Sequence, residues 1–367
     1  MSTKRRKKSK LYYEVKDDLA AYPEAWCYAV VGGRNTGKTY GGLRYFYEEH
    51  KPIVFTKRTN EDIDLLCAGH TLGKQGGEAE VDLSPYKSIN RDLGTKVMAY
   101  KIQTGLGGFY NTADGSAVGA PVSYLVSLNA VHKVKGFDLS ESEAMIVDEF
   151  IPQPWERVNR SEGIQMLELY KTISRDRVLR GRGELKLILF ANAVNIWSPI
   201  TDTLKISDVI ADMVRRGQEV RYDKDRGIFI RILKTGAEMM DAEANTGLYR
   251  AMHDTPWGRM AFNNDFAYND FTKVKKIPLK GYKGLCSVAK GGDVWYLYYN
   301  DDGNYYMCRS RHDLGNHYDL SVEMEQKAFY YDVVIDVLNA AIDGRAWFEA
   351  YGMYDLIANY KRRYQVS

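Results

Sequence analysis

The chain has 367 residues, 51 Lys and Arg against 48 Asp and Glu, and a net charge of +3. That length suits two cores better than one, and so small an excess of positive charge excludes nucleic-acid binding through the overall field, leaving only local concentrations of charge. The four cysteines, Cys27, Cys67, Cys286 and Cys308, are widely spaced with no C-x-x-C or Cys/His grouping, which excludes a zinc module or a disulfide framework; no run approaches eighteen apolar residues and no apolar signal stretch opens the chain, so no membrane contact and a cytoplasmic location are expected.

Residues 1–15 open the chain with Lys4, Arg5, Arg6, Lys7, Lys8 and Lys10, a concentration of charge expected to form a disordered tail. Trp26–Val31 then reads as a buried strand, and Lys38–Glu49 as a helix despite Gly41 and Gly42. Between them lies Gly32-Gly33-Arg34-Asn35-Thr36-Gly37-Lys38-Thr39, a G-x-x-x-x-G-K-T loop in its required strand–loop–helix setting. Glycines at 32 and 37 let successive backbone amides converge on nucleotide phosphates, Lys38 supplies an ammonium to the β and γ oxygens, and Thr39 supplies a hydroxyl to Mg²⁺. ATP or GTP with Mg²⁺ is the expected ligand.

Lys57 and Arg58 follow the apolar strand Ile53–Phe55, Gly69–Gly77 reads as a glycine-containing loop, and Lys101–Val122 reads as strands broken at Gly107-Gly108 and Asp114-Gly115. Ala144–Val147 is an apolar run that ends in Asp148 and Glu149. A central parallel strand delivers a carboxylate to Mg²⁺ in this way, so Asp148 is expected to hold the metal. Glu149, one residue on, points elsewhere and suits the orientation and deprotonation of a water attacking the γ-phosphate, which favours hydrolysis. More than a hundred residues separate the two motifs, leaving room for an inserted strand between their strands.

Arg175, Arg177, Arg180 and Arg182 form a dense basic cluster, suited either to DNA phosphates or to reaching across a subunit boundary as an arginine finger. The apolar strand Leu185–Phe190 follows, with Asn192 just beyond it, a lone amide where parallel sheets place ligands. Polar residues interrupt every apolar run from 200 to 275, with a helical pattern at Ser207–Arg216. Beyond 276 the chain is rich in Tyr, with strands at Lys283–Lys290, Val294–Tyr299 and Asn304–Cys308, a turn at Asp301-Asp302-Gly303, and helical periodicity at Asp332–Ala341 and Phe348–Tyr360.

The wording V-D-E-F-I-P from Val147, T-I-S-R-D-R from Thr172 and A-N-A-V from Ala191 resembles that of the genome-packaging ATPases (DNA encapsidation proteins) of phi29-like phages, relatives of the large terminase ATPases. The similarity runs from the phosphate loop to about residue 275. It implies an α/β fold: a P-loop (ASCE-type) ATPase domain at 16–205 with a mostly parallel sheet, a lid and linker at 206–275, and a smaller α+β ribonuclease-H-like domain at 276–367. It further implies that Lys38 and Thr39 hold phosphate and metal, Asp148 the metal, Glu149 the water, and that Asn192 senses the γ-phosphate. Arg175 falls on the arginine acting in trans, with Arg177 in reserve; Lys133 and Lys135 are further trans residues, and Lys57 and Arg58 lie where the family carries basic residues near the nucleotide.

The resemblance implies an ATP-driven motor that moves double-stranded DNA into a preformed capsid, working in the host cytoplasm while docked on the procapsid. Its implied partners are a homo-oligomeric ring, a pentamer in the family, the capsid portal and a structural RNA. In such a ring the 101–122 strands become a hairpin directed at DNA in the channel, or else a plain sheet extension. Two alternatives stay open: a terminase-like ATPase that also cuts DNA, and a P-loop translocase or helicase of another class. Cleavage needs carboxylates converging on a pair of metal ions. The leading strand Lys283–Lys290 has no acid, and Asp293, Asp332 and Asp336 fit only loosely, so no nuclease activity is expected.

Overall fold

A computed structural model describes residues 12–68, 83–153, 155–255, 257–258, 262, 266, 269–313 and 315–366. The cationic residues of the N-terminal tail, the Gly69–Gly77 loop and part of the 256–268 stretch lie outside these. The described chain divides into two units, residues 1–204 with 216–268, and 205–215 with 269–367. Residues 206–275, expected as one lid and linker, are therefore shared between the units.

The first unit is built on β1 (Cys27–Gly32), β2 (Ile53–Lys57), β3 (Val97–Gln103), β4 (Leu106–Ala113), β5 (Ser116–Ser127), β6 (Ala144–Asp148), β7 (Lys186–Asn192), β8 (Val220–Asp223) and β9 (Ile228–Leu233). Among the described residues these form one sheet in the order β3-β4-β5-β2-β6-β7-β1-β9-β8. The central strands from β5 to β9 all run parallel, while β3, β4 and β8 add antiparallel edges. Every residue of β1 and β6 is buried, which is why these strands are continuous apolar runs and not alternating ones. The strand between β1 and β6 is β7, which follows β6 in the chain, while the residues between the two motifs form β2 to β5 on the far side of β6, so the inserted strand does not come from that interval.

Helices α1 (Val15–Ala21), α2 (Lys38–Glu48), α3 (Asn60–Leu66), α4 (Tyr86–Leu93) and α5 (Glu162–Ser174) belong to this unit. A capping box between Thr59 and Asp62 starts α3, and Gly94 at φ 66° ends α4. The two glycines early in α2 weaken it as a helix but permit close packing. A Cβ on Gly42 would stand 2.7 Å from the Phe190 ring on β7, and one on Gly41 would stand 2.4 Å from the Tyr13 carbonyl oxygen.

Order begins earlier than the expected boundary at residue 16. The Tyr13 amide donates to the Thr36 carbonyl at 2.9 Å and Val15 is fully buried. Gly107-Gly108 is likewise not a turn but part of β4; the chain reverses at Thr104-Gly105, with Gly105 at φ 74°. A Cβ on Gly107 would lie 2.6 Å from the Tyr100 carbonyl across the strand pair, so close approach is what demands glycine there.

The second unit holds β10 (Lys283–Lys290), β11 (Asp293–Tyr299), β12 (Tyr305–Cys308), β13 (Asn316–Asp319) and β14 (Ala346–Phe348), in the order β13-β10-β11-β12-β14. The first three form an antiparallel meander, and β13 and β14 add parallel to it at opposite edges. A helical stretch from Glu323 to Ile342, π-helical over Tyr330–Val334, covers one face. Phe348 closes β14, so the last helical segment starts at Tyr351 and not at Phe348. The cysteines are buried free thiols, and no helix among the described residues is long and apolar enough to cross a membrane.

Candidate functional site

At the carboxyl edge of the parallel sheet, β1 ends at Gly32 and the chain turns through Asn35 at φ 61° and Gly37 at φ 83° into α2. Gly37 meets the conformational demand read from the motif. Gly32 answers a different one: its φ is not positive, but a Cβ there would lie 2.6 Å from Leu233 Cβ on β9.

Lys38 is buried within this loop and curls back over it. Its ammonium donates to the carbonyls of Gly33 at 2.6 Å and Gly32 at 3.1 Å, to Thr36 Oγ1 at 3.1 Å and to Asn192 Oδ1 at 3.4 Å. Burial lowers its pKa from 10.5 to about 8, an effect that the nearby Asp148 and Glu149 only partly offset. An ammonium so desolvated gains by meeting an anion.

Thr39, on the first turn of α2, donates its hydroxyl to Asp148 Oδ1 at 2.9 Å. The two hard oxygens come from different elements and face one another. A donor set of this kind fits Mg²⁺, which takes oxygen ligands and keeps much of its water. Lys57, at the end of β2, lies 2.8 Å from Asp148 Oδ2 and 2.9 Å from Glu149 Oε2, joining both acids. This juxtaposition follows from strand order, since β2 pairs with β6 and carries its last residue to the same edge. Burial raises the Glu149 pKa, but Lys57 outweighs it, with help from Arg34 and Arg58, and the carboxyl sits below its ordinary value. Glu149 itself adopts φ 58°, a left-handed conformation that costs a residue bearing a Cβ about 1 kcal/mol or more.

A cavity of about 410 Å³ is lined by Arg34–Tyr40, Asp148, Glu149 and Phe190–Asn192. Of the expected residues, Arg34 to Thr39 of the loop, Asp148, Glu149 and Asn192 thus surround one space, while Gly32 and Gly33 do not line it.

The other expected residues lie elsewhere. Arg58 is buried, pairing its Nε and Nη2 with Glu162 at 3.0 and 3.1 Å, so it braces the start of α5 and does not face the cavity. Arg177 is buried too, contrary to its expected place as a reserve finger. It donates to the carbonyls of Ser140 at 3.0 Å, Ser142 at 2.5 Å and Gly183 at 3.2 Å and to Glu143 at 2.7 Å, which fastens the turn before β7 to the start of β6. Arg182 also pairs with Glu143, at 2.6 Å.

Arg175 is exposed, with Nη2 donating to the Phe137 carbonyl at 2.5 Å. Its segment is tied to residues just before β6, at the amino edge of the sheet. The five residues of β6 hold the two edges roughly 16 Å apart, farther than an arginine side chain reaches. Lys133 donates to the Thr104 carbonyl at 2.8 Å, and the exposed Lys135 lies 3.9 Å from Glu168 on α5.

In the second unit, Asp293 pairs with Lys205 at 3.2 Å and Asp332 accepts from the Tyr318 hydroxyl at 3.0 Å, while Asp336 stands exposed on a helix. No group of three or more His, Cys, Asp or Glu among the described residues could hold a metal ion.

The chain is thus a mixed α/β protein with a large, mostly parallel sheet, followed by a smaller C-terminal unit. Two solved structures share that fold over nearly the whole length. The bacteriophage Phi-29 viral genome packaging motor assembly aligns with 97% of this chain and 100% of its own, with a TM-score of 0.63 at 15% identity. The Phi-28 gp11 DNA packaging motor aligns with 97% and 98%, with a TM-score of 0.59 at 14% identity. No family model matches the chain, and no curated protein matches it.

Proposed function

We propose that this chain is the ATPase of a viral genome-packaging motor, hydrolysing ATP to drive double-stranded DNA into a capsid. The observation that carries the hydrolytic part is the 2.9 Å contact of Thr39 with Asp148 beside a loop that buries Lys38. The packaging part rests on a fold likeness that spans both units to two DNA-packaging motors.

In this reading Lys38 exchanges the Gly32 and Gly33 carbonyls for β- and γ-phosphate oxygens. Thr39 and Asp148 hold Mg²⁺, which neutralises charge on the phosphates. Glu149 orients the attacking water and takes its proton, and Lys57 restrains that carboxylate until the site is filled. Asn192, within reach of Lys38, registers whether the γ-phosphate is present. Arg175, lying at the far edge of its own sheet, neutralises the transition state of a neighbouring subunit, which makes the working unit a ring. Lys133 and Lys135 are further trans residues, and contact with DNA is mainly through its phosphates, because a motor must pass over any sequence.

The second unit is read as a ribonuclease-H-like domain without nuclease activity. The remaining partners are the capsid portal and a structural RNA, with the ring a pentamer in the host cytoplasm.

The test is steady-state ATP hydrolysis with and without double-stranded DNA at two salt concentrations, for the unaltered chain, Glu149→Gln, Arg175→Ala and an equimolar mixture of the two variants. Stimulation by DNA that weakens with salt, is lost in each variant and partly returns in the mixture is the expected result. Turnover indifferent to DNA, or an Arg175→Ala chain with normal turnover, would overturn the motor reading.

A further inference from the structure

Next to the phosphate cavity lies a second cavity of about 740 Å³, which shares Asn35, Gly37 and Tyr40 with it. Its walls differ from those of the first. Tyr12 is 49% exposed and lies against the loop, since a Cβ on Gly37 would stand 2.9 Å from Tyr12 Cβ. The bond from the Tyr13 amide to the Thr36 carbonyl fixes this segment beside the loop.

Across from it Tyr40 is held in place. Its hydroxyl donates to Asp92 Oδ2 at 2.8 Å and accepts from Arg44 Nη1 at 2.9 Å, while the guanidinium carbon lies 5.8 Å from the ring centroid. A triphosphate seated in the loop must carry its sugar and base beyond the phosphate cavity, and this adjoining space has aromatic surface on which any base can stack.

We infer that the cleft between Tyr12 and the Tyr40–Arg44 wall takes the sugar and base of the bound nucleoside triphosphate, with the base stacked on Tyr12. This rests on the nucleotide reading above and goes beyond it by naming the subsite. Tyr12 thereby links the segment before α1 to occupancy of the phosphate loop. The phosphates and the base are held by separate groups, so their contributions separate experimentally.

Calorimetric binding of Mg²⁺–ATP and of Mg²⁺–tripolyphosphate to the full chain, to Tyr12→Ala and to Tyr12→Phe tests the inference. Tyr12→Ala should bind ATP about tenfold more weakly and tripolyphosphate as before, with Tyr12→Phe close to the unaltered chain. Unchanged tripolyphosphate binding also reports that the variant is folded. ATP binding unaffected by Tyr12→Ala, or weakened equally for both ligands, would overturn the subsite while leaving the nucleotide reading in place. Failure of the unaltered chain to bind either ligand would remove both.

Discussion

The ammonium of Lys57, at the end of β2, donates to Glu149 Oε2 over 2.9 Å and so ties that carboxylate to the neighbouring strand. Removing that cation leaves burial as the larger influence on the Glu149 carboxyl, which then rises toward or above its ordinary value. For Lys57→Met, the acid limb of the hydrolysis pH profile should move to higher pH, because the proposed role of Glu149 requires its ionised form. The acid limb of the unaltered chain should lie at the lower pH of the two. Superimposable profiles would separate Glu149 from the rate.

Lys38 has a folded pKa of about 8 against 10.5 ordinarily. Between these values the unfolded chain binds more protons than the folded one, so stability rises with pH across that window. The cost of burying the ammonium is fully present below pH 8 and relieved toward 10.5. Its ceiling is about 3 kcal/mol for a shift of this size. Denaturant unfolding of the unaltered chain and of Lys38→Met from pH 7 to 10.5 should therefore give converging curves, with the variant the more stable at the acid end. Parallel curves would refute the buried-ammonium account.

Two arginines two positions apart should behave in opposite ways. Arg177→Ala leaves three carbonyls without this donor and Glu143 with Arg182 alone, and should destabilise the fold by about 1–3 kcal/mol. Arg175→Ala removes an exposed side chain and should change stability by less than about 1 kcal/mol while abolishing turnover. Thermal melting alongside hydrolysis separates the two, and a stable Arg177→Ala chain would contradict the buried clamp.

Glu149 at φ 58° should invert the usual order of small substitutions. Glu149→Gly relieves the left-handed strain, whereas Glu149→Ala retains it, so the glycine variant should be the more stable by about 1 kcal/mol. Both should lose hydrolysis. An alanine variant as stable as the glycine one would mean that the strain is absent in solution.

The residues that surround the 410 Å³ cavity were legible where local chemistry dictates residue type. A loop that turns through a positive φ at Gly37 needs glycine, and a strand buried on both faces must be apolar until it releases Asp148 at its end. What stayed hidden depends on partners far away in the chain. The cluster from Arg175 to Arg182 reads as uniform positive charge, and only the folded turn distinguishes Arg177, whose acceptors Ser140 and Ser142 lie 37 and 35 residues back. Lys57 and Arg58 are adjacent, yet Lys57 closes β2 and meets the acids while Arg58, just beyond the strand, turns to Glu162. Gly107 and Gly108 suggested a turn because glycine marks both turns and tight strand contacts. The Tyr12 cleft left no mark in the sequence, because tyrosine in a chain with 28 of them carries little information.

Gly32 and Asn192 are paired in register across β1 and β7, and β1 is paired again on its other side with β9. A slip of one residue between β1 and β7 would turn every side chain of the moving strand to the opposite face and carry Asn192 away from Lys38. Sliding of strands is therefore closed to this protein as a way of transmitting a chemical event. Whatever leaves the cavity as movement must do so through side chains that exchange partners and through the segments that follow the strand ends, over a sheet that behaves as a fixed plate.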